Sequence, residues 1–426
     1  YSPAVRTDIT RVERADWAFQ ALAAFMVIPL WVAGYAHWMN SFVDYLQLIY
    51  LLTFIDVVYP LNLQTFLQSW SFMHMLFLPN PFDFFPKEKL ETSRRILTQV
   101  APEKFDDNAY TANYLLNTGY IFAAMAVALI LLAIVVCLHS IGQSKPKWNN
   151  FTTSLRGIFQ WNVIIRMWLI FFFFFAVFTF LQLNRIEFNN AINGVASALS
   201  LVSVLIVLAT PIALHYLIKK WLPMSLIPYK RRKALGVKDG NSNYNTLTDE
   251  FKGDSYFTIA YLRVLVIKKI LIAVILANIW ASAQAQIVLL IFVMICSMVL
   301  LIWFRPFKGA FWNLRELAQD FAMFLALCLI LPFLEKNTRS SFFIRNGWDI
   351  IIILYCGIVL NIVILFILHL KGWVIIFREI RKACKKCWKW WKSLKLKSNK
   401  VADAKQKRTK IIKMTRRRKV LRRKNR

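Results

Sequence analysis

Residues 117–139 read NTGYIFAAMAVALILLAIVVCLH and contain no Asp, Glu, Lys or Arg. A helix needs about 20 mostly apolar residues to cross a bilayer, and this stretch is long enough. Eight other stretches, of 18 to 25 residues, are also mostly apolar. The sequence therefore predicts an all-α polytopic membrane protein. The nine predicted spans are residues 17–38, 43–61, 117–139, 162–183, 194–218, 259–280, 284–304, 317–334 and 349–371.

The composition agrees with a membrane protein and excludes several other classes. Of 426 residues, 58% are hydrophobic and 18% are charged, and the mean hydropathy is +0.48. Soluble domains are closer to half apolar and about a quarter charged. A disordered chain, a collagen and a small disulfide scaffold are excluded, and a soluble enzyme is disfavoured. The net charge of +32 is concentrated in residues 372–426, which hold 23 lysines and arginines against two acids.

The charge distribution also predicts an orientation and a domain organisation. A strongly basic tail crosses membranes poorly, so we expect residues 372–426 to be cytosolic and, after nine crossings, the N-terminus to be outside. Residues 1–16 are then an extracellular lead-in. Because the chain starts at Tyr1 without a signal peptide, we expect an upstream ectodomain. Residues 17–371 form the helical bundle, and 62–116 form a cap on its outer side.

Several local patterns make finer predictions about this bundle. The short links Met39–Phe42 and Trp280–Gln284 predict two antiparallel hairpins. Residues 66–77 are too apolar for free solution and too short to span, which favours an interfacial helix on the outer leaflet. The five consecutive aromatics Phe171–Phe175 cannot share one helix face, so we expect part of that helix to face lipid.

No arrangement of residues indicates catalysis or cofactor binding. Phosphate-binding, dinucleotide-binding and nucleophile-elbow motifs are absent from the sequence, and its five histidines are scattered. We therefore expect no enzyme, no cofactor and no metal. Cys384 and Cys387 form a CxxC without a second pair to complete a zinc site. Their position just after the last span makes them candidate palmitoylation sites.

Ionisable residues inside the spans are the main functional candidates, because charge is costly within a bilayer. The predicted topology places most of them in the cytosolic half or at the cytosolic ends of the spans. Structural salt bridges between helices would explain them, and so would a cytosol-facing ion or gating site. If they are structural, an acid of the eighth span should contact a base of the fourth or sixth. The cluster consists of Asp44, Arg166, Arg263, Lys268, Lys269, Arg315, Glu316 and Asp320.

The tail is predicted to begin as a basic amphipathic helix on the cytosolic leaflet. Apolar residues recur there at steps of three and four, and tryptophans favour the headgroup region. Behind nine membrane spans, anionic lipid or an acidic protein is a better partner for this charge than nucleic acid. The predicted lipid-binding residues are Lys382, Lys385, Lys386, Trp388, Lys389, Trp390, Trp391, Lys392, Arg416, Arg417, Arg418 and Lys419.

Short phrases in a fixed order over roughly residues 50–320 resemble a family of protist membrane proteins, best represented in ciliates. They are Tyr59-Pro-Leu-Asn62, Phe82-Asp-Phe-Phe-Pro86, Tyr114-Leu-Leu-Asn-Thr-Gly119, Trp161-Asn-Val-Ile-Ile-Arg166, residues 247–251, Tyr261-Leu-Arg263, Arg305-Pro-Phe307 and Asn313-Leu-Arg-Glu316. In that family a large extracellular region ends in a multi-helix membrane module that is distantly TRP-like and polycystin-like. The resemblance implies a plasma or ciliary membrane.

Two functions remain open from the sequence. The first is a non-enzymatic anchor or scaffold that holds an extracellular assembly, or its own ectodomain, and grips lipid or cytoskeletal partners through its tail. The alternative is a TRP-like or polycystin-like cation channel or channel subunit, and either could be a homo-oligomer. A TRP-type pore needs a re-entrant filter between its last two pore helices. Of the candidate links, 281–283 is too short, 305–316 is predicted to be cytosolic, and 335–348 has no glycine-rich filter sequence. We therefore favour the anchor at this stage.

Overall fold

The computed structural model describes residues 36–70, 114–142, 164–184, 191–225, 256–279, 282–307, 309–335 and 341–364, together with scattered single residues. These segments are helical apart from short links, which confirms the all-α class. The helices are α1 (Ala36–Leu51), α2 (Leu61–Ser69), α3 (Tyr114–Gly142), α4 (Ile164–Leu183), α5 (Ala191–Ser225), α6 (Tyr256–Asn278), α7 (Ala283–Phe304), α8 (Ala310–Ile330) and α9 (Ser341–Ile364). Short 3-10 turns, Leu52–Phe54 and Leu331–Leu334, follow α1 and α8.

Contacts between helix ends show that successive long helices run in alternating directions. α6 ends at Asn278, α7 begins at Ala283, and Gln286 Nε2 of α7 donates to Leu276 O of α6 at 3.4 Å, so the predicted hairpin at this link is confirmed. We call this end of the bundle the rim. Hydrogen bonds bring the ends of α1, α4 and α8 and the starts of α3 and α9 to the same end. They are Asp56 N to Gln286 Oε1 (3.4 Å), Asn184 Nδ2 to Ala277 O (2.7 Å), Tyr114 N to Gln182 Oε1 (2.9 Å) and Asn346 Nδ2 to Leu329 O (2.6 Å).

The centre of the bundle is α4, which packs against α1, α3, α5 and α6. Every residue from Phe171 to Gln182 is buried. The expectation that Phe171–Phe175 partly faces lipid is therefore wrong, because neighbouring helices cover α4 on all sides. A helix that is apolar all round is equally suited to lipid and to a protein core, so its sequence could not distinguish the two.

The N-terminal part of the bundle differs from the predicted hairpin. Residues 39–42 lie inside α1, so the predicted turn there is wrong. The predicted second span, 43–61, is also interrupted. The helix ends at Leu51, passes through a 3-10 turn, and continues as an extended link up to Pro60, the N-cap of α2. Pro60 has no amide hydrogen and cannot continue a helix that precedes it, which fits this boundary.

The described part of the helix predicted to lie on the outer leaflet, residues 66–70, is instead packed into the bundle. Leu63, Phe66 and Leu67 are fully buried and Trp70 is 1% exposed. The Phe66 ring lies 4.9 Å, centroid to centroid, from that of Tyr355 in α9. The prediction of an interfacial helix is therefore wrong for residues 66–70, because α9 provides the apolar surface that we had assigned to lipid. The rest of the predicted cap, to residue 113, lies almost entirely outside the described residues.

Six described helices are long and apolar enough to cross a membrane, so the protein is an integral membrane protein. They are α3, α4, α5, α7, α8 extended to Leu334, and α9. α6 is not among these candidate spans, because it contains three basic residues, Arg263, Lys268 and Lys269. The nine-span count stays a prediction, since most of residues 17–38 is outside the described segments. Most of the tail also lies outside the described segments, although Cys384 and Trp388 are helical and exposed.

Candidate functional site: a polar cluster around α8

The charged residues of α8 form the centre of a polar cluster inside the bundle. Arg315, Glu316, Gln319 and Asp320 lie within about one and a half helical turns. Arg315 and Gln319 share one side of the helix, and Glu316 and Asp320 share another about 100° away. Each contacts another helix. Through these side chains α8 is hydrogen-bonded to α1, α6, α7 and α9 at one level of the bundle.

A deeply buried ion pair joins α8 to α6. Lys268 Nζ contacts Asp320 Oδ1, and the two side chains are 9% and 5% exposed. The other oxygen, Asp320 Oδ2, accepts a hydrogen bond from Ser297 of α7 at 2.6 Å. The expected contact between an acid of the eighth span and a base of the sixth is thus present. With both oxygens bound, the carboxylate has the partners that a buried charge requires.

The neighbouring lysine makes a second ion pair on the other side of α6. Lys269 Nζ lies 2.7 Å from Asp44 Oδ1 of α1 and donates to the carbonyl oxygen of Leu169 in α4 at 3.0 Å. Successive residues of a helix are about 100° apart, so two adjacent lysines can reach different neighbours. The Asp44 side chain remains 30% exposed, which makes this the weaker of the two pairs.

Glu316 has a different environment from the other two acids. Its Oε2 accepts a hydrogen bond of 2.9 Å from Ser41 Oγ of α1. It borders a cavity of about 30 Å³ that is also lined by Asp44, Asp320 and both lysines. A water molecule needs roughly 10–15 Å³ of such space, so this cavity has room for about two.

The fourth contact of α8 is with α9. Arg315 Nε and Gln319 Nε2 both donate to Asn361 Oδ1, at 2.8 and 2.6 Å. Asn361 Nδ2 donates in turn to the carbonyl oxygen of Gly357, at 2.7 Å. Tyr45 of α1 packs directly on Gly357: a Cβ at that position would lie 2.1 Å from the tyrosine hydroxyl. The absence of a side chain at Gly357 is what lets α1 and α9 cross here.

The structure places the cluster deeper than the sequence indicated. Asp44 and Asp320 were expected to begin their helices, yet Asp44 is the ninth residue of α1 and Asp320 the eleventh of α8. Asp320 is therefore about 15 Å from either end of α8. Arg263 contacts His215 of α5, and Arg166 lies in the first turn of α4.

Sequence reasoning missed the uncharged members of the cluster, which are Ser41, Tyr45, Ser297, Gln319, Gly357 and Asn361. Asn361 offered a usable signal, because it is a lone amide in an otherwise apolar stretch, residues 358–368. The small residues offered none, since serine and glycine are common in membrane helices for packing reasons alone.

The arrangement indicates what the cluster can do. Asp44 and Asp320 each have a lysine partner, and no group of three His, Cys, Asp or Glu side chains is placed to hold a metal within the described segments. Such contacts fix the relative positions of helices.

Comparison with known families identifies the chain. The family model for the transient receptor potential (TRP) ion channel matches residues 102–393, more than half of the sequence. The chain belongs to the TRP ion channel family. The TRP match covers α3 to α9 and most of the cluster, whereas α1 and α2 precede it. No curated protein and no solved structure matches the chain significantly.

Proposed function

We propose that the protein is an ion channel, or the subunit of one, that conducts cations across the membrane. The observation that carries this proposal is the TRP family match over residues 102–393, a region with six helices able to span a bilayer. The channel was the alternative interpretation of the sequence. The anchor or scaffold role and lipid binding by the tail have no such support and remain predictions.

Within this channel, the polar cluster has a structural role rather than lining the ion path. Each lysine offsets an acid at the same depth, so Asp44 and Asp320 do not form the unpaired acidic ring that attracts cations. The contacts hold α8 to four other helices. A movement of α8 would have to break them together, which makes the cluster suited to stabilising one arrangement of the bundle.

A flux assay tests the proposal. The purified chain is reconstituted into liposomes with a potassium gradient, and potassium movement is followed together with leakage of a trapped dye of higher mass. We expect potassium to cross while the dye is retained. Heat-unfolded protein at the same ratio to lipid controls for membrane damage. A well-folded chain that moves no potassium or sodium would leave the anchor as the better account.

A further inference from the structure

The outer surface of α2 has a polar stripe that lipid cannot accommodate well. One face of this nine-residue helix is buried and consists of Asn62 and the apolar Leu63, Phe66 and Leu67. On the opposite face Gln64 and Gln68 are exposed, with Thr65 and Ser69 half-buried beside them. The two glutamines are four residues apart and therefore share one side of the helix.

Contacts with α9 show that α2 enters the membrane depth rather than lying beyond it. Its start is at the rim, where Asn62 Nδ2 donates to Ile344 O at 3.3 Å. Four residues later the ring of Phe66 contacts that of Tyr355. Tyr355 is about 20 Å along α9 from Ser341. Since α9 is a candidate span, α2 runs from the rim down alongside a membrane-crossing helix.

The hydroxyl and amide groups of this stripe differ in which partners can satisfy their hydrogen bonds. Thr65 Oγ1 donates to Leu61 O at 2.9 Å and Ser69 Oγ donates to Phe66 O at 2.7 Å. Those hydroxyls use the carbonyls of their own helix. A primary amide carries two donors and an acceptor, so its full hydrogen bonding needs water or another protein group. Placing Gln64 and Gln68 against hydrocarbon would therefore be costly.

We infer that Gln64 and Gln68 face water inside the membrane thickness and line a vestibule through which hydrated cations enter from the rim. The inference rests on the proposed channel function and deepens it by placing part of the ion path. Uncharged amides suit such a path, because they bind a hydrated cation weakly and let it leave.

Cysteine accessibility tests the inference on the full chain. Gln64→Cys and Gln68→Cys are made in a chain whose six native cysteines are replaced by serine, and reconstituted protein is treated with a cationic, membrane-impermeant thiol reagent. Leu67→Cys is the buried control and Val299→Cys, at a 51% exposed apolar site of α7, is the lipid-facing control. We expect both glutamine positions to react at least tenfold faster than the controls. Their modification should reduce cation current at least twofold.

The outcomes separate this inference from the proposed function. If unmodified protein conducts but the glutamine positions react as slowly as Val299→Cys, the inference is wrong and the channel stands. Fast reaction with unchanged current would refute the ion path. Disulfide cross-linking of Gln64→Cys between two copies would show a subunit contact in place of the vestibule. Fast reaction in a chain that carries no current would refute the channel, and with it the path.

Discussion

Replacing Asp320 by asparagine should destabilise the bundle strongly. The change leaves the ammonium group of Lys268 buried beside a neutral amide, and both side chains are less than a tenth exposed. Removing one partner of a buried ion pair typically costs about 3–5 kcal/mol, because the remaining charge loses its compensation. At about 1.4 kcal/mol for each tenfold change, the ratio of folded to unfolded protein should fall at least about a hundredfold.

The assay is reversible unfolding by stepwise addition of SDS to mild-detergent micelles, followed by tryptophan fluorescence. Asp349→Asn is the matched control, because Asp349 is exposed near the start of α9. It should change the free energy of unfolding by no more than about 0.5 kcal/mol. The double variant Lys268→Met with Asp320→Asn should cost less than the two single variants added together, by roughly 1–3 kcal/mol. Equal losses for Asp320→Asn and Asp349→Asn, or strict additivity in the double variant, would refute the ion-pair argument.

Three further predictions concern other parts of the chain. Gly357→Ala should lower the yield of folded protein, because the new Cβ would lie 2.1 Å from the Tyr45 hydroxyl, and Tyr45→Phe should partly restore that yield. Equal yields of wild-type and Gly357→Ala protein on size-exclusion chromatography would contradict the close crossing of α1 and α9. Asn150, in the sequon Asn150-Phe-Thr152, should carry no glycan, because residues 140–161 are predicted to be cytosolic and the Thr152 hydroxyl is buried against His139 Nδ1 at 3.0 Å. Glu91→Asn creates a sequon in the predicted outer segment and should gain a glycan that is visible as a gel shift. A glycan on Asn150 and none at position 91 would invert the predicted orientation. A peptide of residues 372–426 should bind anionic vesicles, since each basic residue near such a surface contributes about 1 kcal/mol, and most of it should be released at high salt. Equal binding to neutral vesicles would exclude the electrostatic explanation.

Much of the architecture could be predicted from hydropathy, because a membrane imposes a minimum apolar length on each span. The α6–α7 hairpin was predicted from its short link, but a predicted link of similar length, residues 39–42, lies inside α1, so link length alone does not distinguish a turn from a continuous helix. The path of α2 could not be predicted, because an apolar segment such as residues 66–70 suits either a leaflet or a groove between helices. For the same reason the burial of α4 could not be read from its phenylalanines.

The polar cluster was predictable in kind but not in detail. Acids and bases at similar predicted depths indicated pairing, because charge inside a bilayer must be compensated. Which lysine meets which acid depends on the rotation of each helix, and a single sequence does not specify it. The contribution of Ser297 and Asn361 became evident only once α7 and α9 were packed on α8.

Cation conduction is tested by recording currents from single reconstituted chains or oligomers in a planar bilayer with unequal potassium chloride on the two sides. We expect discrete current steps whose reversal potential is shifted towards the equilibrium potential of potassium. Such steps in Asp320→Asn protein that still folds should have the same reversal potential, because the paired carboxylate is away from the ion path. Silent bilayers with correctly folded wild-type protein would contradict the channel. A reversal potential shifted by Asp320→Asn would contradict the structural role of the cluster.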